Sequence, residues 1–450
     1  MLTTLAPGRP RVAVIGAGLA GLTAATTLAR HGTAVVLFES GSRVGGLAAS
    51  HLDGAGFTHD VGAHFITNRL AAAIGVSAAC RNVKRYGESV FIGGKAISYP
   101  LGLMREPRYV AAALRSKVAA LRHPQPARNA AEEVERRYGR ALARDIALPL
   151  IEAWSGLPAE RLSPGAVATI PSAAHSAYLS LAAHLTGRAI ACGYSHAAPE
   201  NASVWHVYPS GGLSTLCERL AQDFSGRIEL DSPVEEIVVS DGIARAVVVR
   251  GVRHDVDAVV STLSLAVLGR LVTGTNAALP LRRFRYRPMT FVTLRLRGTD
   301  LLPDVVTWTP EAHLPFFRLT ETPSAIPWLA PRGMTSITAD IGCEIGDAVW
   351  KASDETLGAR VIAHLRDIVP GVANRMLGVH VARTPVAYPV FDLAYEADRI
   401  SCARSLGIGG LVSVGRNGEF AHLLMEDVYW RTLAAMQPLL AAFAVGAGSR

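Results

Sequence analysis

The chain has 450 residues, half of them hydrophobic and 18% charged, with Lys+Arg 45 against Asp+Glu 37 for a formal net charge of +8. This excludes a disordered chain and a single small module, and it predicts two or three domains or one large discontinuous architecture. The excess charge is nearly all arginine, because the only lysines are Lys84, Lys95, Lys117 and Lys351; the arginines are scattered, which argues against a nucleic-acid partner and leaves coding bias or a grip on an acidic substrate.

The first predicted element is Arg11–Ile15, whose β-branched run RVAVI suits a buried parallel strand. Gly16-Ala17-Gly18-Leu19-Ala20-Gly21 follows directly, then an alanine-rich helical segment over Leu22–His31, a break at Gly32 and a second apolar strand, Ala34–Phe38, ending at Glu39. Together they make a βαβ unit with a physical reason for each glycine. Gly16 permits a tight turn, Gly18 lets the backbone approach a pyrophosphate, and Gly21 lets the helix pack closely on the strand. The helix N-terminus offers free N–H donors to the phosphates, and Glu39 stands where an acid accepts hydrogen bonds from ribose hydroxyls.

Ser40-Gly41-Ser42-Arg43-Val44-Gly45-Gly46-Leu47 continues the chain as a small-residue loop able to lie along an extended dinucleotide. From here the sequence resembles the flavoprotein superfamily of amine oxidases, protoporphyrinogen oxidase, phytoene desaturase and UDP-galactopyranose mutase, which share the glycine motif, the acid and an R-x-G-G segment. The resemblance implies FAD and an α/β fold: a Rossmann-like, discontinuous FAD-binding domain with an inserted α+β substrate domain. It assigns residues 1–100, 201–275 and 400–450 to the cofactor domain, and 101–200 and 276–399 to the substrate domain.

Three later segments carry the likeness onward. Phe57 to Phe65 looks like the stretch passing close to the flavin ring, with Gly62, Ala63 and His64 at the mutase-like G-x-H. Tyr208–Leu213 precedes a helix and the strands around Arg227–Leu230 and Val234–Ile237, with Val234 expected beside the adenine. Leu411–Phe420 is an apolar strand ending in Gly415-Arg416, followed by Ala421–Asp427, and the resemblance sets this region, including Met425, against the flavin pyrimidine edge.

The remaining chain is expected to cover the flavin. Tyr109–Leu121 and Ala130–Ile151 have helical spacing; Glu132, Glu133, Glu135, Arg136 and Arg137 read as a solvated helix face; residues 283–345 read as strands. No second GxGxxG unit follows a strand, which argues against a built-in NAD(P)H domain. The five cysteines are odd in number and lack a C-x-x-C pair, so neither a disulfide framework nor a metal site is expected, and the expected compartment is the cytoplasm. No transmembrane run or secretory signal is predicted. Peripheral membrane contact and oligomeric state stay open.

The implied activity is that of an FAD-dependent oxidoreductase, an oxidase or dehydrogenase taking hydride equivalents from a C–N or C–C bond of a small molecule and passing electrons to oxygen or another acceptor. His64, His422 and Tyr388 are the candidate catalytic residues, a near-neutral histidine being a ready proton acceptor; Tyr395 is a second candidate for the pocket wall. The scarcity of lysine departs from typical amine oxidases, which place one by a water at flavin N5. The alternative is a nonredox sugar mutase: Gly415, Arg416, Met425 and Glu426 fit that enzyme's spacing, but Phe420 and His422 replace its substrate-binding tyrosines. A binding module without turnover is a third class, opposed by the intact cofactor motifs.

Overall fold

Arg11–Ile15 pairs in parallel with Ala34–Phe38 on one side and Ala258–Ser261 on the other in a computed structural model that describes residues 9–448 apart from 63, 123–124, 168–172, 194 and 196. Arg227–Glu229 and Leu411–Ser413 extend the two edges, giving a five-stranded parallel sheet assembled from distant stretches of chain. Its central strands are apolar between their ends, Arg11 and Ser261 excepted, because both faces are covered. One face packs against the helices Leu19–Arg30 and Met425–Gly448, around Val12, Val14, Leu22 and Leu28. The other packs against a four-stranded sheet through Ala13, Ile15, Ile237 and Val247.

The first helix starts at Leu19, three residues before the predicted start, because Gly18 takes an extended N-cap conformation and releases the next residue into the helix. Tyr109–Leu121 lies within the helix Pro107–Arg122. The continuous helix expected over Ala130–Ile151 is instead broken. Ala130–Tyr138 stops at Gly139, whose φ of 83° a side chain would disfavour and whose Cβ would meet the Ala112 and Ala113 backbone at 2.5 Å. The chain resumes through a short π turn, Ala143–Ala147, into Leu148–Ser155. The charge run is not wholly solvated either: Glu133 is buried and accepts hydrogen bonds from Arg136 and Arg137.

A seven-stranded sheet runs in the order Met376–Pro389, Tyr286–Arg297, Met334–Gly342, Arg318–Thr320, Val306–Trp308, Glu88–Ile92, Lys95–Tyr99. The hairpin Glu88–Tyr99, which lies before the expected domain boundary at residue 100, hydrogen-bonds to Val306–Trp308 and is part of this sheet. All five cysteines are free. Among the described residues no helix is long and apolar enough to cross a membrane.

Candidate active site

A cavity of about 1610 Å³ runs between the parallel sheet, the seven-stranded sheet and the helices of residues 107–186. It exceeds the several hundred to a thousand Å³ typical of a single drug-sized ligand, so it has room for a dinucleotide and a second molecule.

At one end the walls are backbone. Gly16 has φ +101°, and a Cβ there would lie 2.1 Å from Thr262 Oγ1; a Cβ on Gly46 would lie 3.3 Å from the Gly18 Cα. The two glycine loops are thus pressed together, with the Gly45 N–H donating to the Ala17 carbonyl at 2.9 Å. Gly16, Gly18, Leu19, Ala20, Gly45, Gly46 and Leu47 all line the cavity. Gly21 does not, because it faces the sheet: its Cβ would stand 1.8 Å from the Gly16 carbonyl oxygen.

Glu39 closes this end. Its carboxylate accepts the Ala17 N–H at 2.7 Å and the Gly41 N–H at 2.8 Å, tying both turns to the tip of the second strand. Ser40 and Val234 share that wall, with Ser232 and Pro233 beside them. Arg43 is exposed and does not reach the wall, because its side chain leaves the loop toward solvent. This cradle of close backbone turns, one carboxylate and a helix N-terminus suits an extended dinucleotide.

Farther along, Gly62, His64, Tyr388, Gly415, Arg416, His422 and Met425 converge on the cavity. Ala63 lies outside the described residues. Gly415 packs against the first helix, where a Cβ would meet Ala20 Cβ at 2.8 Å, so the C-terminal strand delivers Arg416 next to the glycine loops. The Arg416 guanidinium is buried over the Tyr388 ring, 4.9 Å from its centroid, and donates to the carbonyls of Ala387 at 3.1 Å and Leu423 at 2.9 Å. Among the described residues no carboxylate is paired with it, and burial, reinforced by Arg318, draws its pKa below the ordinary arginine value.

His64 carries a buried Nδ1 without a hydrogen-bond partner. Burial, then the charges of Arg318 and Arg416, lower its pKa to about 4, so the near-neutral proton acceptor expected from the sequence is instead a neutral imidazole. His422 donates through Nε2 to the Pro389 carbonyl at 3.2 Å, and burial holds its pKa at about 3. That fixes the tautomer and leaves Nδ1 as its acceptor. Tyr395 is not on the wall: it is a core residue whose hydroxyl donates to the Val390 carbonyl. Phe420 is likewise packed among Phe284, Tyr286 and Phe391, and Glu426 is buried in a salt bridge with Arg69.

Sequence reasoning missed the contribution of the seven-stranded sheet. Arg318 lines the cavity, paired to the fully buried Asp340 and lying 5.5 Å from the Trp308 ring centroid; burial opposes its charge, but Asp340 outweighs that and raises its pKa. Glu88 on the next strands accepts hydrogen bonds from the Tyr86 hydroxyl at 2.6 Å and Trp308 Nε1 at 2.7 Å. Asn417 holds a buried Oδ1 without a partner beside Arg416. Only Asn417 had a signal, its place directly after Gly415-Arg416. Leu103, Leu142, Ile146, Leu150, Leu179 and Phe317 give the wall an apolar stretch, interrupted by polar groups such as Tyr99, Arg137, Tyr138, Ser176 and Asp304. Of the four lysines only Lys117 touches the cavity, from an exposed position.

Similarity to known proteins agrees with this geometry. The chain superposes on reduced UDP-galactopyranose mutase with a TM-score of 0.78 at 19% identity, covering 96% of each chain. It superposes on cyclohexylamine oxidase from Brevibacterium oxydans IH-35A with a TM-score of 0.68 at 16% identity, over 97% of this chain and 99% of that one. For putrescine oxidase bound to putrescine the TM-score is 0.68 at 15% identity, over 96% and 99%. No match is found among curated protein sequences. The sequence model of the flavin containing amine oxidoreductases matches residues 19–398. With that match over most of its length, on a Rossmann-like α/β framework, the chain belongs to the flavin containing amine oxidoreductase family and is an FAD-dependent oxidoreductase.

Proposed function

We propose that the enzyme removes hydride equivalents from a C–N or C–C bond of a small molecule with an apolar body and one polar group. The observation that carries this reading is the apolar stretch of Leu103, Leu142, Ile146, Leu150, Leu179 and Phe317 beyond the glycine loops, in the same cavity as a polar cluster of His64, Arg318, Tyr388 and Arg416. Each sugar hydroxyl set against the apolar stretch would be left unpaired, at a cost of about 1–3 kcal/mol. The packing of Phe420 away from the cavity weakens the mutase alternative further.

In this proposal Glu39, Ser40 and Val234 would hold the adenosine of FAD, Gly16, Gly18, Leu19, Ala20, Gly45, Gly46 and Leu47 its pyrophosphate, and Gly62, His64, Gly415, Arg416 and Met425 would hold its ring. When bound, FAD supplies a ring that accepts two electrons from substrate and yields them to oxygen or another acceptor. Arg416, held by two carbonyls and unpaired with any described carboxylate, would balance negative charge developing beside it. His64, neutral at pH 7, would orient the substrate through Nδ1 more readily than remove a proton from it. The apolar stretch would exclude water around the reacting carbon. The cofactor unit in this proposal comprises residues up to about 87 with 201–275 and 400–450, and the rest of the chain forms the substrate unit.

Anaerobic mixing of the oxidised holoenzyme with apolar amines and other hydride donors tests the proposal. Bleaching of the flavin band by a member of this class is the expected result. Absence of bleaching across the class, with sugar-nucleotide isomerisation appearing only after chemical reduction, would replace it with the mutase reading.

A further inference from the structure

The cavity opens between two helices, Pro107–Arg122 and Ala173–Thr186, and the outer faces of both are apolar. On the first, Val110, Leu114, Val118 and Leu121 are exposed at spacings of four, four and three, which places them in one stripe; Leu114 is 62% and Leu121 84% exposed. On the second, Tyr178, Leu181 and Leu185 form a matching stripe, with Leu185 76% exposed. Isolated exposed leucines are ordinary on a protein surface, but two continuous stripes flanking one opening are not. Val110 and Leu114 also belong to the cavity wall, so the surface stripe runs into the interior.

Among the described residues, the exposed Arg and Lys side chains within the two helices have no acidic residue beside them on either helix. Neither helix contains an aspartate or glutamate, whereas Arg115 and Lys117 are exposed on the first and Arg105 just before it; Glu106 is half-buried at its start, and Arg108 is paired to Asp145. A second copy of the chain docking the same face about a twofold axis would bring Arg115 and Lys117 of both copies together with no acid on either helix to receive them. A lipid surface with anionic headgroups meets both requirements, apolar depth for the leucines and negative charge for the arginines.

We infer that the mouth of the cavity docks on an anionic membrane, seating the stripes at Leu114–Leu121 and Tyr178–Leu185 in the headgroup boundary so that an apolar substrate passes from the bilayer into the chamber. Docking itself is independent of the reaction proposed above. The holoenzyme is tested by sedimentation with phosphatidylcholine vesicles and with vesicles in which a third of the lipid is phosphatidylglycerol. The wild type is expected to sediment with the anionic vesicles and to be released by salt. Leu121→Glu/Leu185→Glu should weaken partitioning by at least about tenfold, and Arg115→Glu by about fivefold or more. None of these positions lies on the cavity wall, so bound flavin should be retained in each and reports folding; if the double variant loses flavin, Val118→Gln provides the same comparison with a smaller loss. Failure of the wild type to bind anionic vesicles at low salt, or equal binding by the flavin-containing variants, overturns the inference. So does a wild-type dimer that Leu121→Glu/Leu185→Glu splits to monomers, since a second copy would then cover the face.

Discussion

Gly21→Ala probes the junction on which the cofactor end of the site rests. The added Cβ would lie 1.8 Å from the Gly16 carbonyl oxygen and 3.0 Å from its carbon, against the 3.4 Å at which ordinary contact begins. The first helix would have to withdraw by about 1.6 Å, a shift larger than the tolerance of a hydrogen bond. Gly16 cannot yield instead, because its N–H is held by the Phe38 carbonyl at 2.8 Å. Retreat of the helix is opposed by Met425–Gly448 and Ser214–Asp223, which pack on its other side. Overpacking at such a site costs about 1–3 kcal/mol or more. Displacing the first-turn amides should remove one or two charge-assisted hydrogen bonds to phosphate, weakening FAD by about 100-fold at about 1.4 kcal/mol per decade. Fluorescence titration of the apoprotein with FAD measures the affinity, and a thermal melt measures the packing cost. Gly54→Ala is the control, since nothing lies within 4 Å of its Cβ and it should change neither reading. A Gly21→Ala protein with wild-type FAD affinity and melting temperature would refute the reasoning.

Glu39→Ala leaves the Ala17 and Gly41 amides without their acceptor and should cost about 1–3 kcal/mol in stability, with weaker FAD binding by the same titration. Asp340→Ala strands the buried Arg318 charge and should cost about 3–5 kcal/mol in a urea melt; Asp340→Ala/Arg318→Met should recover much of this, and a double variant no better than the single would contradict the pairing. His64→Ala should keep FAD bound but slow turnover of the right substrate, and unchanged turnover would remove His64 from the site. Acidification from about pH 7 to about pH 5 should destabilise the fold by several kcal/mol. His64, His206 and His422, held at about 4, 3 and 3, stay neutral while the unfolded chain protonates near 6.5, each costing about 1.4 kcal/mol per pH unit below that value. Asp60, raised by burial to about 6, binds its proton more tightly when folded and offsets one of the three as pH falls from 6 toward 3.8. A flat stability profile in urea melts across this range would show the histidines to be hydrated.

The βαβ unit was legible in the sequence because its determinants are local: an apolar run makes a buried strand, Gly16 a turn, Gly21 a close contact, and Glu39 the end of the next strand. The Gly415-Arg416 segment could be found for the same reason, as a strand running into a glycine. Gly139 shows the limit even for local structure, since helical spacing continued through a residue that has positive φ and packs its backbone against the neighbouring helix. The pKa of His64 was beyond reach, because it depends on burial and on Arg318, a residue far away in the chain. Arg318, Asp340 and the apolar stretch carry no spacing signal; Arg318 and Asp340 face each other only once Arg318–Thr320 pairs with Met334–Gly342 in the seven-stranded sheet. Sequence alone thus determined the cofactor framework, whose chemistry is written in neighbouring residues. The tertiary structure decided the substrate chamber and the charge state of its histidines, because desolvation and long-range pairing exist only once distant segments are packed together.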